Sequence, residues 1–238
     1  MIFTKTQRLS ILLALSAVFQ SISSCYAHEA VHNADTSHST RGHEPGYHRK
    51  FNDAKHWVKV FDDPERDKWQ LPDKVVQTLR VKPKDVVADI GAGTGYFSFR
   101  LAKAQPDSKV YAADVEPDML SFLEEEAKRQ NCSNVIPFEI KTTNPELPEK
   151  ANLALIVDTF HHIDSRVQYF KELQSSLTPD CRLVIIDFTE KSPVGPPKDH
   201  RIDKGEVISE LKEAGFTLID EKRFLPYQYY LEFGKAEK

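Results

Sequence analysis

The chain has 238 residues, of which 40% are hydrophobic and 29% charged, and its formal net charge is −4. This length suits one domain of ordinary size, or two small ones, with a full core. The acidic balance argues against a nucleic-acid partner, because such proteins usually carry a basic excess. Three cysteines are too few for a disulfide scaffold.

The N-terminal segment, residues 1–27, has the pattern of an export signal. Lys5 and Arg8 precede the apolar run Leu9–Phe19, and small polar residues follow. A membrane-spanning anchor needs about 20 apolar residues, and this run has only eleven. The pattern therefore favours export over a transmembrane anchor.

Two cleavage points are open in this segment. Cleavage before His28 would follow a small residue, whereas the residues up to Cys25 resemble a bacterial lipobox, which would leave Cys25 as a lipid anchor. The expected location is thus the periplasm, or the membrane surface as a lipoprotein. Removing residues 1–27 takes away two basic residues and lowers the net charge from −4 to −6.

Residues 28–56 form a histidine-rich tract without apolar periodicity, which predicts a flexible segment. The tract holds six of the nine histidines: His28, His32, His38, His43, His48 and His56. Imidazoles in such a tract can bind zinc, copper or nickel. Their irregular spacing matches no closed tetrahedral site, so a solvated linker is favoured over a metal-binding tract and no metal site is predicted.

From residue 57 to 238 we predict one domain in which strands alternate with helices. The predicted strands are Val86–Ile90, Lys109–Asp114, Val135–Ile140, Ala151–Val157, Arg182–Phe188, Phe216–Phe224 and Tyr227–Phe233. The predicted helices are Tyr96–Ala104, Met119–Gln130, Arg166–Leu177 and Lys204–Ala214. This alternation indicates a doubly wound α/β sheet, with the last two strands paired antiparallel. Four carboxylates should line the ligand-binding edge: Asp89, Asp114, Asp158 and Asp187.

A glycine-rich motif of the form D-x-G-x-G-x-G runs from Asp89 to Gly95, between a strand and a helix. Glycines allow a tight turn and a close approach of a ligand to the backbone. Tyr96 replaces the last glycine of a dinucleotide fingerprint, and no lysine follows as in a phosphate-binding P-loop. Asp114, at the end of the second strand, is placed to bind ribose hydroxyls. The pattern favours a nucleoside without pyrophosphate over an ordinary tight loop.

Several motifs resemble class I S-adenosylmethionine-dependent methyltransferases: DIGAGTGYFSFRLA, YAADVEPDML, the strand leading into VDTFHHID, and a terminal AGF followed by YQYYLEF. The resemblance covers roughly residues 53–235. It implies a Rossmann-like, seven-stranded and mostly parallel sheet with an antiparallel last strand, and S-adenosylmethionine as cofactor. The stretch FDDPERDKWQLPDKVV further resembles exported or lipoprotein-like bacterial members.

The resemblance also implies roles for individual residues. The three glycines of the motif would face the methionine and adenosyl parts of the cofactor: Gly91, Gly93 and Gly95. Asp89 would hold the cofactor's ammonium through water, Asp114 the ribose, and Met119 would pack on adenine. Many relatives carry an Asp for the adenine amino group after the third strand, where this chain has Lys141–Asn144. Arg66, Trp69 and Gln70 are candidates to cover the cofactor, and Trp69 is equally consistent with a core position.

Methyl transfer from a sulfonium is an in-line displacement, so the protein mainly aligns the reacting groups. A base is needed only where the nucleophile loses a proton. Asp158, His161 and His162 follow the fourth predicted strand and are the candidate catalytic residues. Adjacent histidines point in different directions, so at most one should face the methyl group. Asp187 and His200 are weaker candidates.

The predicted function is S-adenosylmethionine-dependent methyl transfer to an unidentified small molecule, with no nucleic acid as partner. Two alternatives stay open. One is a non-catalytic protein on the same fold that binds a nucleoside or S-adenosylmethionine. The other is an exported metal-binding protein that uses the histidine-rich tract.

Overall fold

The computed structural model describes residue 51 and residues 53–236. The predicted export signal, Cys25 and most of the histidine-rich tract lie outside these residues. The first helix of the described residues begins at Ala54 and includes residues 54–56 of the histidine-rich tract, while the domain boundary at residue 57 stays a prediction. The Asp53 carboxylate starts this helix by accepting a hydrogen bond from the backbone N–H of His56 at 3.3 Å.

Seven strands form one sheet in the described part of the chain. They are β1 Val86–Ile90, β2 Lys109–Asp114, β3 Val135–Glu139, β4 Ala151–Val157, β5 Leu177–Phe188, β6 Phe216–Lys222 and β7 Gln228–Lys235. Their order across the sheet is β3-β2-β1-β4-β5-β7-β6. Only β7 runs antiparallel to its neighbours β5 and β6. The predicted fold class is confirmed.

The helices of the described residues are α1 Ala54–Phe61, α2 Pro64–Gln70, α3 Pro72–Leu79, α4 Ser98–Ala104, α5 Pro117–Arg129, α6 Arg166–Leu173 and α7 Lys204–Glu213. Short 3₁₀ turns cover Phe160–His162, Gln174–Ser176 and Lys198–His200. Within the same residues, no helix has the length and apolar character needed to cross a membrane.

The central strands β1, β2 and β4 are buried on both faces because helices cover the sheet on each side. Successive side chains of β1 enter opposite layers: Val87 packs with Leu79 and Leu123, whereas Ala88 packs with Phe170 and Leu211. Side chains from both layers are fully buried. The continuous apolar runs seen in the sequence are therefore central strands between two helical layers.

Two predicted boundaries differ from the structure by more than two residues. The helix predicted over Arg166–Leu177 ends at Leu173, and β5 begins at Leu177 rather than at Arg182. Leu177 is fully buried and pairs with Ala151 of β4. Exposed polar residues interrupt the apolar pattern in the first half of β5, so the alternation did not reveal it.

Candidate functional site

The polar side chains predicted at the ligand edge do lie at the carboxyl ends of the parallel strands. Asp89 is the second-to-last residue of β1, and Asp114 is the last residue of β2. Asp158 follows β4, and Asp187 is near the end of β5. The chain runs outward from β1 to β3 and then returns to β4 on the other side of β1. The gap between β1 and β4 is thus the switch point at which such sheets bind ligands.

The glycine loop after β1 has a backbone that favours glycine. Gly91, Gly93 and Gly95 have φ angles of +76°, +54° and +83°. A Cβ atom on Gly91 would lie 2.4 Å from the side chain of Thr159, so the loop packs directly on the residue after Asp158. A Cβ on Gly95 would lie 2.5 Å from Phe99. Gly91 therefore closes the loop against β4, and Gly95 lets α4 pack closely.

Asp114 is held beside this loop by two backbone hydrogen bonds. Its carboxylate accepts from the N–H of Gly93 at 2.8 Å and from the N–H of Glu116 at 3.0 Å. Burial raises the pKa of Asp114, while the backbone N–H groups oppose that shift. The carboxylate is fixed at the end of β2, where the sequence places a ribose-binding acid. The role itself stays a prediction.

Asp89 lies beneath the loop and is 3% exposed. It accepts a hydrogen bond from the Ser98 hydroxyl at 2.6 Å. Burial raises its pKa to about 6, and Ser98 acts against that shift. The water-mediated role that the resemblance implies for Asp89 stays a prediction.

Met119 lies under the N-terminal helix α1 and is 1% exposed. It packs in a small apolar cluster with Ala54 and Trp57. Val115, next to Asp114, is 45% exposed. The sequence analysis did not single out Val115, although its place directly after Asp114, the predicted ribose-binding acid, was a usable signal. Thr143 and Asn144, in the stretch where many relatives carry an Asp, are both exposed.

The N-terminal helices cover the glycine loop. The ring of Phe61, at the end of α1, lies 3.5 Å from the point where a Cβ on Gly93 would be. The Thr94 hydroxyl donates to Asp62 at 2.9 Å. The backbone N–H of Asp53 donates to Asp118 of α5 at 2.9 Å. These contacts join α1 to both sides of the loop, so the cover is part of the site.

Asp158 sits in a buried polar network on the β4 side. Its backbone φ is +54°, and its carboxylate pairs with Arg66 at 3.1 Å. The side-chain amide of Gln228 donates to Asp158, and the Gln70 amide donates to Gln228 at 2.7 Å. Burial raises the pKa of Asp158 to about 7, and Arg66 partly offsets this. Gln228 was missed by the sequence analysis, since nothing near it in the chain marks it as polar and buried.

His161 forms a buried pair with Asp187. Its Nδ1 lies 2.9 Å from one carboxylate oxygen and 3.0 Å from the other. An ionised carboxylate only accepts hydrogen bonds, so Nδ1 carries the proton, and in the neutral imidazole Nε2 carries the lone pair. Burial lowers the pKa of His161, but the charge and hydrogen bond of Asp187 and the charge of Asp158 together outweigh it, so the net shift is upward. The structure thus brings together His161 and Asp187, of which Asp187 was the weaker candidate in the sequence analysis.

The other histidines near this edge are less buried. The ring of His162 lies 5.5 Å from the Phe51 ring, edge to face, and 4.2 Å from the His161 ring. His200 ends a 3₁₀ turn in the loop between β5 and α7.

Trp69 lies 5.7 Å from the ring of Phe188, next to Asp187. Among residues 51 and 53–236, no group of three or more His, Cys, Asp or Glu side chains could hold a metal ion.

The raised pKa of Asp158 predicts how stability changes with pH. An unfolded Asp titrates near pH 3.9, whereas Asp158 titrates near 7 in the fold. Between these values the folded form keeps a proton that the unfolded form releases, so stability decreases as pH rises, by up to about 1.4 kcal/mol per pH unit. Asp158→Asn removes this titration. The free energy of unfolding, measured with urea from pH 5 to pH 8, should therefore decline less steeply for the variant than for wild type. Parallel pH profiles of the two proteins would contradict the raised pKa of Asp158.

Comparison with known proteins agrees with this architecture. A model of the methyltransferase domain family matches residues 81–223, which is more than half of the chain. A SAM-dependent methyltransferase of known structure from Aquifex aeolicus is 25% identical, with a TM-score of 0.70. That similarity covers 77% of this chain and 99% of the Aquifex chain.

Curated relatives match over shorter stretches. Malonyl-[acyl-carrier protein] O-methyltransferase 1 of Ilyobacter polytropus is 27% identical over 57% of this chain and 50% of its own length. Phosphoethanolamine N-methyltransferase 3 of Arabidopsis thaliana is 30% identical over 61% of this chain and 28% of its own length. The chain therefore spans half or less of these two relatives, whose names give different acceptor atoms. By its match over residues 81–223, the chain belongs to the methyltransferase domain family.

Proposed function

We propose that the protein transfers a methyl group from S-adenosylmethionine to a small-molecule acceptor that loses a proton in the reaction. The observation that carries this proposal is that the glycine loop and the His161–Asp187 pair lie at the same edge of the sheet. The glycine loop with Asp114 lies on one side of the switch point, and the His161–Asp187 pair lies on the other. Family membership supports the same activity.

The residues present fit S-adenosylmethionine. Gly91 leaves no room for a Cβ beside Thr159, so the loop backbone itself is the surface offered to a ligand. The Asp114 carboxylate is fixed by the N–H of Gly93 and would accept hydrogen bonds from ribose hydroxyls. The cofactor carries a sulfonium and an ammonium, and the buried carboxylates of this edge complement that positive charge. When bound, S-adenosylmethionine supplies the methyl group of its sulfonium, and the loss of this group leaves a neutral thioether.

His161 is the base in this proposal. Asp187 fixes the imidazole orientation and favours the positive charge that His161 gains when Nε2 accepts a proton. A base is useful only for an acceptor with a proton to lose, such as a hydroxyl, a thiol or an ammonium group. Asp158 lies in the adjacent network and orients Arg66 and Gln228. His162 contacts Phe51 and stays a weaker candidate.

The test is transfer of radiolabelled methyl from S-adenosylmethionine to a panel of hydroxyl, thiol, amine and carboxylic acid acceptors. We expect label in at least one acceptor that loses a proton, with a rate that rises with pH as His161 becomes neutral. A protein that binds the cofactor and labels no acceptor would be the non-catalytic binding protein. Labelling confined to the carboxylic acids, which have already lost their proton at neutral pH, would contradict the role of His161.

We also propose that the protein is exported and carried to the periplasm or anchored there through Cys25. The charged, apolar and small-residue segments of residues 1–27 support this location. Fractionation of cells that express the wild-type chain and Cys25→Ala tests it. A lipoprotein would move from the membrane to the soluble periplasmic fraction in the variant. A cytoplasmic location for both would contradict export.

A further inference from the structure

Residues 189–201, in the loop between β5 and α7, wrap around the side chain of Arg201, and we call this segment the Arg201 loop. Every nitrogen of the Arg201 guanidinium donates to backbone carbonyls of the loop, at distances between 2.7 and 3.4 Å. The accepting carbonyls are those of Thr189, Glu190, Ser192, Val194 and Pro196. One side chain therefore ties together most of the loop.

The charge of Arg201 is balanced by these carbonyl dipoles. Burial lowers the pKa of Arg201, and among the described residues no charged neighbour acts on that pKa. Hydrogen bonds from an ionised donor are stronger than those between neutral groups, so the guanidinium is the main support of the loop. Three prolines further restrict the loop backbone: Pro193, Pro196 and Pro197. The Arg201 loop is thus ordered by its own residues.

The Arg201 loop folds back onto the end of β5, beside the His161–Asp187 pair. Gly195 has a φ of +97°, and a Cβ atom there would lie 2.7 Å from the ring of Phe188. The backbone N–H of Phe188 donates to the Asp187 carboxylate at 2.8 Å. The loop therefore packs on the residue that follows Asp187 and borders the proposed acceptor side of the switch point.

The end of β5 is held by the sheet as well as by this loop. Phe188 pairs with Gln228 of β7, and the backbone N–H of Thr189 donates to the carbonyl of Tyr227 at 3.0 Å. A change within the loop should therefore displace the loop and leave Asp187 in place.

We propose that the Arg201 loop is a fixed wall of the acceptor site and that Arg201 is the positioning residue that holds it. This inference rests on the proposed function, since it takes the His161–Asp187 pair as the acceptor side. A preformed wall lets an acceptor bind without ordering a segment of the chain, which reduces the entropic cost of binding. It also limits the width of the acceptors that fit beside His161. Arg201 should therefore affect acceptor affinity and selectivity, and leave cofactor binding unchanged.

Hydrogen exchange on the full chain tests the first half of the proposal without any acceptor. In Arg201→Gln the amides of residues 190–200 should exchange roughly 10-fold faster than in wild type, because the carbonyls lose their common donor. Lys235→Gln is the matched control. The Lys235 ammonium also donates to two carbonyls, those of Gln174 and Leu177, both at 2.8 Å, but at the amino end of β5. The control should leave the exchange of the Arg201 loop unchanged.

The methyl-labelling assay tests the second half, with the acceptors that wild type labels in the panel. We expect Arg201→Gln to raise the acceptor KM roughly 10- to 100-fold, with kcat and the affinity for S-adenosylhomocysteine near their wild-type values. The widest acceptors should lose least, because the wall no longer excludes them. Gly195→Ala keeps Arg201 but forces the loop away from Phe188 and should raise KM in the same way. Lys235→Gln should change neither KM nor acceptor preference.

Unchanged loop exchange in Arg201→Gln would show that Arg201 does not hold the loop. Faster exchange with wild-type KM and acceptor preference would show that the loop is not the acceptor wall, and an equal rise of KM in Lys235→Gln would make the role of Arg201 merely structural. Should Arg201→Gln not fold, Arg201→Lys, which keeps the charge but not the planar fork, replaces it in both assays. These outcomes leave the proposed function intact, whereas wild type that labels no acceptor would overturn that function together with this inference.

Discussion

Replacing Gly91 by Ala should abolish cofactor binding at ordinary concentrations. The backbone φ of +76° costs an L-residue about 1–2 kcal/mol. The new Cβ would lie 2.4 Å from Thr159, and such overpacking costs typically about 1–3 kcal/mol more. The loop or the end of β4 must shift, and a shift of about 1 Å at such a site costs on the order of 100-fold. Calorimetry with S-adenosylhomocysteine measures the loss of affinity.

Gly234→Ala is the control for this variant. Gly234 lies in β7 without a positive φ, and a Cβ there would meet Ile219 at 3.8 Å, an ordinary contact. It should melt and bind like wild type. If Gly91→Ala kept wild-type affinity for S-adenosylhomocysteine, the glycine loop would not be the cofactor site.

Replacing His161 by Asn should lower kcat by about 10²- to 10⁴-fold, the usual contribution of a positioned base. Asn is chosen because its amide can still donate to Asp187, which is 2% exposed and would be costly to leave unpaired. Affinity for S-adenosylhomocysteine should not change, because the imidazole lies on the proposed acceptor side of the switch point. The rate is measured with the acceptor found by the labelling screen.

His162→Asn is the matched control, since it changes the adjacent imidazole, which packs against Phe51 rather than Asp187. We expect kcat near the wild-type value. The pH dependence gives a second readout: wild-type activity should fall at acidic pH as His161 is protonated, and the His161→Asn variant should lose that dependence. Equal loss of activity in the two variants, or an unchanged pH profile in His161→Asn, would exclude His161 as the base.

The sequence predicted the centre of the fold well because the central strands are buried on both faces. The bounds of β1, β2 and β4 agree with the prediction at every residue. Continuous runs such as ANLALIV mark such strands without help from tertiary contacts. The glycine loop and Asp114 could also be predicted from the sequence, because the glycines of such a loop occur at a fixed spacing within a few consecutive residues.

The N-terminal cover was not predicted as helix. Helix α2 has only seven residues, and its polar side chains face partners far away in the chain, so the apolar periodicity is weak. The available signals were local: Asp63 before Pro64 is a typical helix start, and its carboxylate accepts from the N–H of Glu65 at 2.9 Å. Such caps mark where a helix begins, but not what it covers.

The contacts that define the acceptor side could not be predicted from the sequence. His161 and Asp187 are 26 residues apart, and Arg66 and Asp158 are 92 apart. They meet because β4 and β5 are neighbours and α2 returns over their ends. The same holds for Tyr96, whose stacking on Arg66 depends on how α2 lies against α4. Pairings at this range follow from the packing, and the residue types alone do not specify them.

The most direct measurement of the central claim is calorimetric titration of S-adenosylhomocysteine into the purified wild-type protein and the Asp114→Asn variant. Asp114 should accept hydrogen bonds from the ribose hydroxyls, so wild type should bind in the micromolar to submillimolar range. The Asp114→Asn variant should bind S-adenosylhomocysteine about tenfold more weakly than wild type. Absence of binding heat for wild type at millimolar ligand, or equal affinities of the two proteins, would contradict the assignment of this edge as the S-adenosylmethionine site.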